Sequence, residues 1–189
     1  MMSRSEVLKQ LAAARTDEIV VTAMMAAREW PRFSQHPLDF DSSGTGMGHA
    51  TGIALGLALA HPERRVWVLN GDGSMLMNLG QLVTIAQQAP PNLVVFVFQN
   101  NVYEVTGGQP IPGTATLDFA GLARAAGIAK AYDFAALEAF AAALPALRRE
   151  PGPLFVTLRV APEPPTAPLQ RLPAPERARR LMEALASAR

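Results

Sequence analysis

Residues 66–74 read VWVLNGDGS and residues 93–101 read LVVFVFQNN, and these two stretches decide the fold. Each is an apolar run that stops abruptly at polar residues. Because the runs are almost wholly apolar rather than alternating, they are typical of strands buried on both faces, as in parallel sheets covered by helices. The carboxyl ends of parallel strands meet at one edge of the sheet, where ligands bind. We therefore expect the two polar ends to converge there.

Further apolar runs and helical patterns extend the same reading to the rest of the chain. Strands are predicted at Glu18–Thr22, Val66–Asn70, Leu93–Phe98 and Leu154–Val160, with a fifth near Ile128–Tyr132. Helices are predicted at Ser5–Ala14, Gly48–Ala60, Leu79–Gln88, Phe119–Ala126 and Ala135–Arg148. This alternation predicts an α/β fold with a single doubly wound, mainly parallel sheet and helices on both faces.

The domain organisation follows from length and proline content. The chain has 189 residues, which suits one domain, and we expect residues 1–160 to form it. Ala161–Pro175 contains six prolines, so we predict an irregular tail there. A last helix at Glu176–Ser187 would complete residues 161–189 and pack on the same domain.

Composition narrows the classes of function. The net charge is +1, 49% of the residues are hydrophobic and none is cysteine, which disfavours a charge-driven nucleic-acid or membrane surface and excludes cysteine chemistry. The first ten residues have no apolar signal core, and the longest apolar stretch, Gly52–Ala60, is too short to span a bilayer. We expect a cytoplasmic protein that acts on a small molecule.

The polar strand ends carry metal-binding chemistry. Asp72 and Asn100 offer hard oxygen ligands that suit Mg²⁺ or Ca²⁺ better than zinc. Two such side chains and a backbone carbonyl would leave coordination positions for phosphate oxygens and water. Gly71 and Gly73 floor the site, and Gly73 permits close approach of a phosphate. Ser74 offers it a hydroxyl and an N–H.

At these residues the chain resembles the thiamine diphosphate enzymes, whose fingerprint is GDG followed at this distance by NN. Here 26 residues separate Gly73 from Asn100. The resemblance implies thiamine diphosphate and Mg²⁺ as cofactors, with Asp72, an asparagine and a backbone carbonyl as metal ligands. Two registers are open. Matching Tyr103 to the family tyrosine selects Asn100 and the Val102 carbonyl, which we favour, whereas a literal NN selects Asn101 and the Tyr103 carbonyl.

A glycine-rich loop at residues 43–48, SGTGMG, supports the same resemblance. A dinucleotide fingerprint would require a third glycine where His49 stands, so that reading fails. In thiamine enzymes an apolar residue of the equivalent loop bends the cofactor, which implies that Met47 is this wedge, with Gly46 beside it. The Thr45 carbonyl would accept a hydrogen bond from the pyrimidine amino group. His49 could donate a proton or cap the turn.

Over nearly its whole length the chain is similar to the β subunits of sulfopyruvate decarboxylases and to phosphonopyruvate decarboxylases. This resemblance implies a 2-oxo-acid decarboxylase that works only with a separate, α-type chain that binds the pyrimidine ring. Self-association is also expected. The residues Glu104, Thr106 and Gln109, in the stretch YEVTGGQ, would line the substrate side. The chain departs from these relatives at Met24 and Met25, as well as at Thr45 and His49.

Two alternatives stay open. The same cofactor could serve a carboligase or a split 2-oxo-acid oxidoreductase, in which case any iron–sulfur cluster would lie on a partner chain. The chain could also be a binding module that holds thiamine diphosphate without catalysing a reaction.

Overall fold

A six-stranded, wholly parallel sheet forms the centre of the protein. The computed structural model describes residues 1–163 and 172–187. The strands are β1 Ile19–Thr22, β2 Asp39–Asp41, β3 Val66–Gly71, β4 Leu93–Gln99, β7 Ala131–Phe134 and β8 Leu154–Arg159. Their order across the sheet is β2-β1-β3-β4-β8-β7. A small antiparallel hairpin pairs β5 Val102–Tyr103 with β6 Gln109–Pro110. The predicted fold class is confirmed.

Helices cover both faces of the sheet. They are α1 Arg4–Ala14, α2 Met24–Glu29, α3 Ala50–Ala60, α4 Asp72–Leu76, α5 Gly80–Gln88, α6 Phe119–Ala125, α7 Leu137–Leu147 and α8 Ala174–Ser187. Short 3₁₀ turns occupy Trp30–Arg32 and Glu104–Thr106. No helix in the described part of the chain is long and apolar enough to span a membrane.

Along each central strand, successive side chains point to opposite faces of the sheet and pack into two different hydrophobic cores. Ile19 and Val21 belong to the core beneath α3, α5, α6 and α8, whereas Val20 faces the core beneath α1 and α7. In that second core the ring of Phe96 lies edge-on to those of Trp67 and Phe140, with centroids 5.8 and 6.4 Å apart. Burial on both faces explains why these strands lack alternation in the sequence.

The structure corrects the prediction at several boundaries. The fifth strand begins at Ala131 and not near Ile128. Ile128 belongs to the turn that follows α6, where its side chain is buried in the core. Helix α3 begins at Ala50, two residues late, because Gly48 has a φ of 85° that no helix accommodates. The irregular tail predicted up to Pro175 ends earlier, since α8 starts at Ala174. Residues 164–171 of that tail lie outside the described residues.

Helix α8 packs on the same body as the sheet. Its residues Leu181 and Leu185 are buried in the core beneath α3. Arg177 forms an ion pair of 2.9 Å with Asp41 of β2 and donates a hydrogen bond to the Ser43 carbonyl. The last helix thereby supports the glycine-rich loop that follows β2.

Asp39, at the start of β2, is the centre of a partly buried hydrogen-bond network. One oxygen of its carboxylate accepts from Arg15 Nη1 at 2.5 Å and from Trp30 Nε1 at 2.8 Å. The other accepts from Ser34 Oγ at 2.7 Å and from the His36 N–H at 2.9 Å. These bonds hold the edge strand and explain how so short and polar a strand is stable.

We predict that Asp39→Ala lowers the free energy of unfolding by about 3 kcal/mol, because it leaves the Arg15 guanidinium buried without its carboxylate. The melting temperature should fall by about 10 °C for a chain of this size. Asp133→Ala, which removes an exposed ion pair with Arg159, is the control and should change stability by less than about 1 kcal/mol. Equal effects of the two substitutions in thermal denaturation would contradict the prediction.

Candidate active site

A cleft lies at the carboxyl edge of the sheet, over the ends of β3 and β4. It encloses about 480 Å³, including space open to solvent. Of the residues predicted from the sequence to form a site, this cleft is lined by Met47, Gly71, Asp72, Gly73, Ser74, Asn100, Val102 and Tyr103. The structure therefore brings together the ends of two strands and the glycine-rich loop, as parallel topology requires.

Asp72 is the first residue of α4 and is almost wholly buried, with 2% of its surface exposed. Its Oδ1 accepts from the Gly73 N–H at 2.7 Å, and its Oδ2 accepts from the Asn100 and Asn101 N–H groups at 2.9 and 2.6 Å. Burial raises the pKa of Asp72 to about 6, although these backbone donors act in the opposite direction. Within residues 1–163 and 172–187, no lysine or arginine pairs with this carboxylate.

The two asparagines after β4 point in different directions. Asn100 lines the cleft and its Oδ1 accepts from the Val102 N–H at 3.0 Å. Asn101 has a φ of 65°, in the left-handed region that asparagine tolerates. Its side chain accepts from Gln99 Nε2 at 3.0 Å, and it is not part of the cleft lining. The backbone turn thus directs the side chain of Asn100, and not that of Asn101, into the cleft that Asp72 lines.

The glycine-rich loop reaches the cleft through a backbone that only glycine adopts readily. Gly44, Gly46 and Gly48 have φ values of 103°, 90° and 85°. Met47 lies between two of them and presents its half-buried side chain to the cleft. The Gly48 N–H donates to Ser74 Oγ at 3.0 Å, which ties this loop to the start of α4. In that bond the hydroxyl is the acceptor, so its own proton stays available for another partner.

Three residues predicted to act with Met47 lie outside the cleft lining. Thr45 and Gly46 are exposed, and the Thr45 hydroxyl donates to the Ser42 carbonyl at 2.8 Å. His49 is also exposed. It is the N-cap residue of α3, and its carbonyl accepts from the Ile53 N–H at 3.1 Å, but its side chain makes no capping hydrogen bond. Its assignment as a catalytic residue stays a prediction.

The ring of Tyr103 leaves no space for a side chain at position 73, so this position requires glycine. A Cβ atom added to Gly73 would lie 2.6 Å from Cδ1 of the Tyr103 ring and 3.3 Å from Ile111. The ring covers the backbone of GDGS on the side where a side chain would stand. The prediction from the sequence concerned phosphate approach to this glycine, whereas the structure gives a further reason for it, namely close packing of the tyrosine.

One residue of the cleft wall was missed in the sequence. Arg4 lines the cleft although it is only 1% exposed, and its Nη1 donates to Glu104 Oε2 at 2.5 Å. A lone arginine before a helix gave no signal of this. Met24, at φ 53°, also lines the cleft, at a position where the sequence departs from its relatives. Glu104 and Thr106 line the cleft as expected, but Gln109 is exposed outside it.

The arrangement suits a divalent cation bound together with another ligand. Asp72 supplies a buried anionic charge without a protein cation, and Asn100 supplies a neighbouring amide oxygen. In the described part of the chain, no three His, Cys, Asp or Glu side chains are grouped to hold a metal. A cation here would therefore need further oxygens from the backbone, from water and from the other ligand, which is how Mg²⁺ is usually bound with phosphates.

Comparison with known proteins shows the family that the chain resembles. The model of a family described as "Thiamine pyrophosphate enzyme, C-terminal TPP binding domain" matches residues 20–158. The chain is 44% identical over 110 residues to the sulfopyruvate decarboxylase subunit beta of Methanothermobacter thermautotrophicus, with 58% of each chain covered. It is 36% identical over 148 residues to a phosphonopyruvate decarboxylase of Streptomyces viridochromogenes, covering 78% of this chain and 36% of that one.

A solved structure shows the same fold. The chain superposes on benzoylformate decarboxylase from Polynucleobacter necessarius with a TM-score of 0.69 and 23% sequence identity. The match covers 88% of this chain and 34% of that one. At this identity the likeness concerns the fold alone.

We predict that Gly73→Ala destabilises the protein by about 2 kcal/mol, because the new methyl group displaces the Tyr103 ring. Tyr103→Ala should relieve the clash, so the double variant should be more stable than the sum of the single changes implies. Gly56→Ala is the control: it adds a methyl group to a helix where no atom lies within 4 Å, and should stabilise slightly. Additive effects of Gly73→Ala and Tyr103→Ala in chemical denaturation would contradict the packing argument.

Proposed function

The chain belongs to the thiamine pyrophosphate enzyme family, because residues 20–158 match the TPP-binding domain of that family, and on that premise we propose that it is the diphosphate- and metal-binding subunit of a 2-oxo-acid decarboxylase. Its similarity to a sulfopyruvate decarboxylase subunit beta and to a phosphonopyruvate decarboxylase supports that reaction class. The observation that carries the proposal is the buried Asp72 carboxylate, which shares the cleft lining with Asn100 and forms no ion pair with a lysine or arginine among the described residues.

In this proposal Mg²⁺ is held by Asp72, Asn100 and the backbone carbonyl of Val102. The fit rests on charge and on ligand type. A divalent cation would offset the burial that raises the pKa of Asp72, and it would favour the ionised carboxylate. Asn100 and Val102 both line the cleft with Asp72. Oxygen ligands of this kind suit Mg²⁺ rather than zinc.

Gly71, Gly73, Ser74 and Tyr103 would form the wall that receives the diphosphate of the cofactor. Ser74 retains a hydroxyl proton to donate, because it accepts from the Gly48 N–H. On the glycine-rich loop, Met47 would be the wedge that orients the cofactor rings. When bound, thiamine diphosphate supplies the electron sink for decarboxylation.

The other residues of the glycine-rich loop, and the two methionines of α2, would contribute through their location around the cofactor. The Thr45 carbonyl would accept a hydrogen bond from the cofactor's pyrimidine amino group, with Gly46 giving the loop its turn. His49 would donate or accept a proton only if the loop or a partner chain brings it to the cleft, since it is exposed in this chain. The apolar side chains of Met24 and Met25 would exclude water from the substrate side.

We propose that a separate α-type chain completes the enzyme by binding the pyrimidine ring. The match covers 58% of the sulfopyruvate decarboxylase subunit beta and 36% of the phosphonopyruvate decarboxylase. The uncovered length of the phosphonopyruvate decarboxylase leaves room for a second binding half in that protein. The substrate would be a small 2-oxo acid, sulfopyruvate or phosphonopyruvate being the preferred candidates. Residues 1–160 would form the cofactor domain and residues 161–189 its accessory segment. Self-association and a cytoplasmic location belong to the same proposal.

Asp72→Asn should strongly weaken Mg²⁺-dependent binding of thiamine diphosphate, because it removes the negative charge of the proposed metal ligand. Asparagine is chosen because the amide keeps the shape of the side chain. Calorimetric titration of the chain with thiamine diphosphate, with and without Mg²⁺ and with and without the α-type chain, measures this directly. We expect at least a hundredfold loss of affinity, about 3 kcal/mol.

Asp133→Asn is the matched control, because that carboxylate pairs with Arg159 on the surface and should not affect binding. If the wild-type chain binds no thiamine diphosphate under any of these conditions, the proposal is wrong. Undiminished binding by Asp72→Asn would instead overturn only the metal assignment.

A second pair of variants distinguishes the two asparagines. Asn100→Ala should raise the Mg²⁺ concentration needed for half-maximal cofactor binding by about tenfold or more, as loss of one ligand predicts. Asn101→Gly should change it by less than about twofold, since glycine accepts the left-handed φ at that position. The reverse pattern would assign the ligand to Asn101.

A further inference from the structure

A buried ionic cluster forms one wall of the cleft. Arg4, the first residue of α1, is 1% exposed, and its Nε donates to Glu29 Oε1 at 2.9 Å. Its Nη1 donates to Glu104 Oε2 at 2.5 Å. Both Arg4 and Glu104 line the cleft, whereas Glu29 lies behind them with no exposed surface. The cluster therefore joins the cleft wall to the core.

Glu104 is bound through both of its oxygens. While Oε2 accepts from Arg4, Oε1 accepts from the backbone N–H of Glu163 at 2.8 Å. Glu163 in turn accepts, through its own Oε1, from the backbone N–H of Arg4 at 3.0 Å. These three bonds form a closed ring among the start of α1, the turn after β5 and the segment after β8.

The ring of bonds adds an anchor at the turn of a very short hairpin. The β5–β6 hairpin pairs only Val102 with Pro110 and Tyr103 with Gln109. A two-stranded hairpin of this size is not stable by itself in water. Glu104 directly follows β5, within the connection to β6, so its two hydrogen bonds fix the end of the strand that carries the Val102 carbonyl and the Tyr103 ring.

Stability of the buried arginine does not require Glu104. Glu29 already places a buried carboxylate on Arg4, and one carboxylate is sufficient to neutralise one guanidinium. Glu163 Oε2 also lies 3.7 Å from Arg4 Nη2, so Glu104 is one of three carboxylates around this guanidinium, and it adds negative charge to the wall of a cleft that already contains Asp72. An acid at this position therefore needs a reason other than pairing the charge of Arg4.

We propose that Glu104 is a positioning residue for the metal site, acting through Arg4 and the Glu163 N–H. By fixing the turn at Glu104–Thr106, it fixes the Val102 carbonyl in the lining of the cleft that it shares with Asp72, and it keeps Tyr103 over Gly73. The inference rests on the proposed function, in which that carbonyl is a metal ligand.

Glu104→Gln tests this because an amide has one acceptor oxygen in place of two. Its NH₂ group then faces one of two donors, Arg4 or the Glu163 N–H, and that bond is lost. Arg4 keeps Glu29, so the variant should fold. Without cofactor, amide hydrogen exchange across residues 102–106 should become about tenfold faster. In titrations, the Mg²⁺ concentration for half-maximal thiamine diphosphate binding should rise by about tenfold.

Glu18→Gln is the matched control. Glu18 is 3% exposed and accepts from Arg148 Nη2 at 2.8 Å, so it too is a buried carboxylate paired with an arginine. It directly precedes β1, at the amino edge of the sheet, whereas the cleft lies at the carboxyl edge. Its melting temperature should fall, yet exchange at residues 102–106 and the Mg²⁺ requirement should stay within about twofold of wild type.

Glu104→Asp provides a second variant with the charge retained. It should lie between wild type and Glu104→Gln in both measurements, because a shorter carboxylate reaches its donors less well. Unchanged exchange and an unchanged Mg²⁺ requirement in Glu104→Gln would overturn the inference, as would equal effects in Glu18→Gln. Exchange is measured without cofactor, so failure of the wild-type chain to bind thiamine diphosphate would contradict the proposed function and leave this anchor separately measurable.

Discussion

The Asp72 carboxylate leaves the end of β3 with only 2% of its surface exposed, and three backbone N–H groups hold it there. Two of those groups belong to Asn100 and Asn101, at the end of β4. The same carboxylate therefore fixes the relative position of the two loops that follow neighbouring strands. An ionised carboxylate at such a site is costly unless hydrogen bonds and a cation compensate it. The rest of the cleft is arranged around this buried acid.

Tight packing transmits that constraint to the other loops. Ser74, two residues after Asp72, accepts from the Gly48 N–H and so places Met47 at the cleft. Gly73, between them, leaves space for Tyr103, which brings the β5–β6 hairpin against α4. Each contact depends on a residue type that cannot be exchanged freely: a hydroxyl in one case and the absence of a side chain in the other. The motif GDGS is thus a packing unit as well as a set of ligands.

The sequence was sufficient where the determinant is local. The apolar runs of β3 and β4 predict buried parallel strands, and their polar ends predict where Asp72 and Asn100 meet. It was insufficient where distant segments decide the outcome. Strand β2 is short and polar, and Asp39 holds it through Arg15, which is 24 residues away, and through three residues of the segment 30–36. Arg4 gave no signal, because its burial follows from carboxylates 25 and 100 residues away.

In the proposed function, the charges of the cleft argue that the metal and the diphosphate bind together. The cleft presents Asp72 and Glu104, and its only described cation, Arg4, is already paired with carboxylates. A diphosphate that approached without a metal would meet like charge in a partly desolvated environment, where repulsion is strong. A cation that bound first would be incompletely coordinated by two side chains and one carbonyl. The metal and the diphosphate are therefore expected to bind as one unit, each completing what the other lacks, with the protein supplying the rigid oxygen face between them.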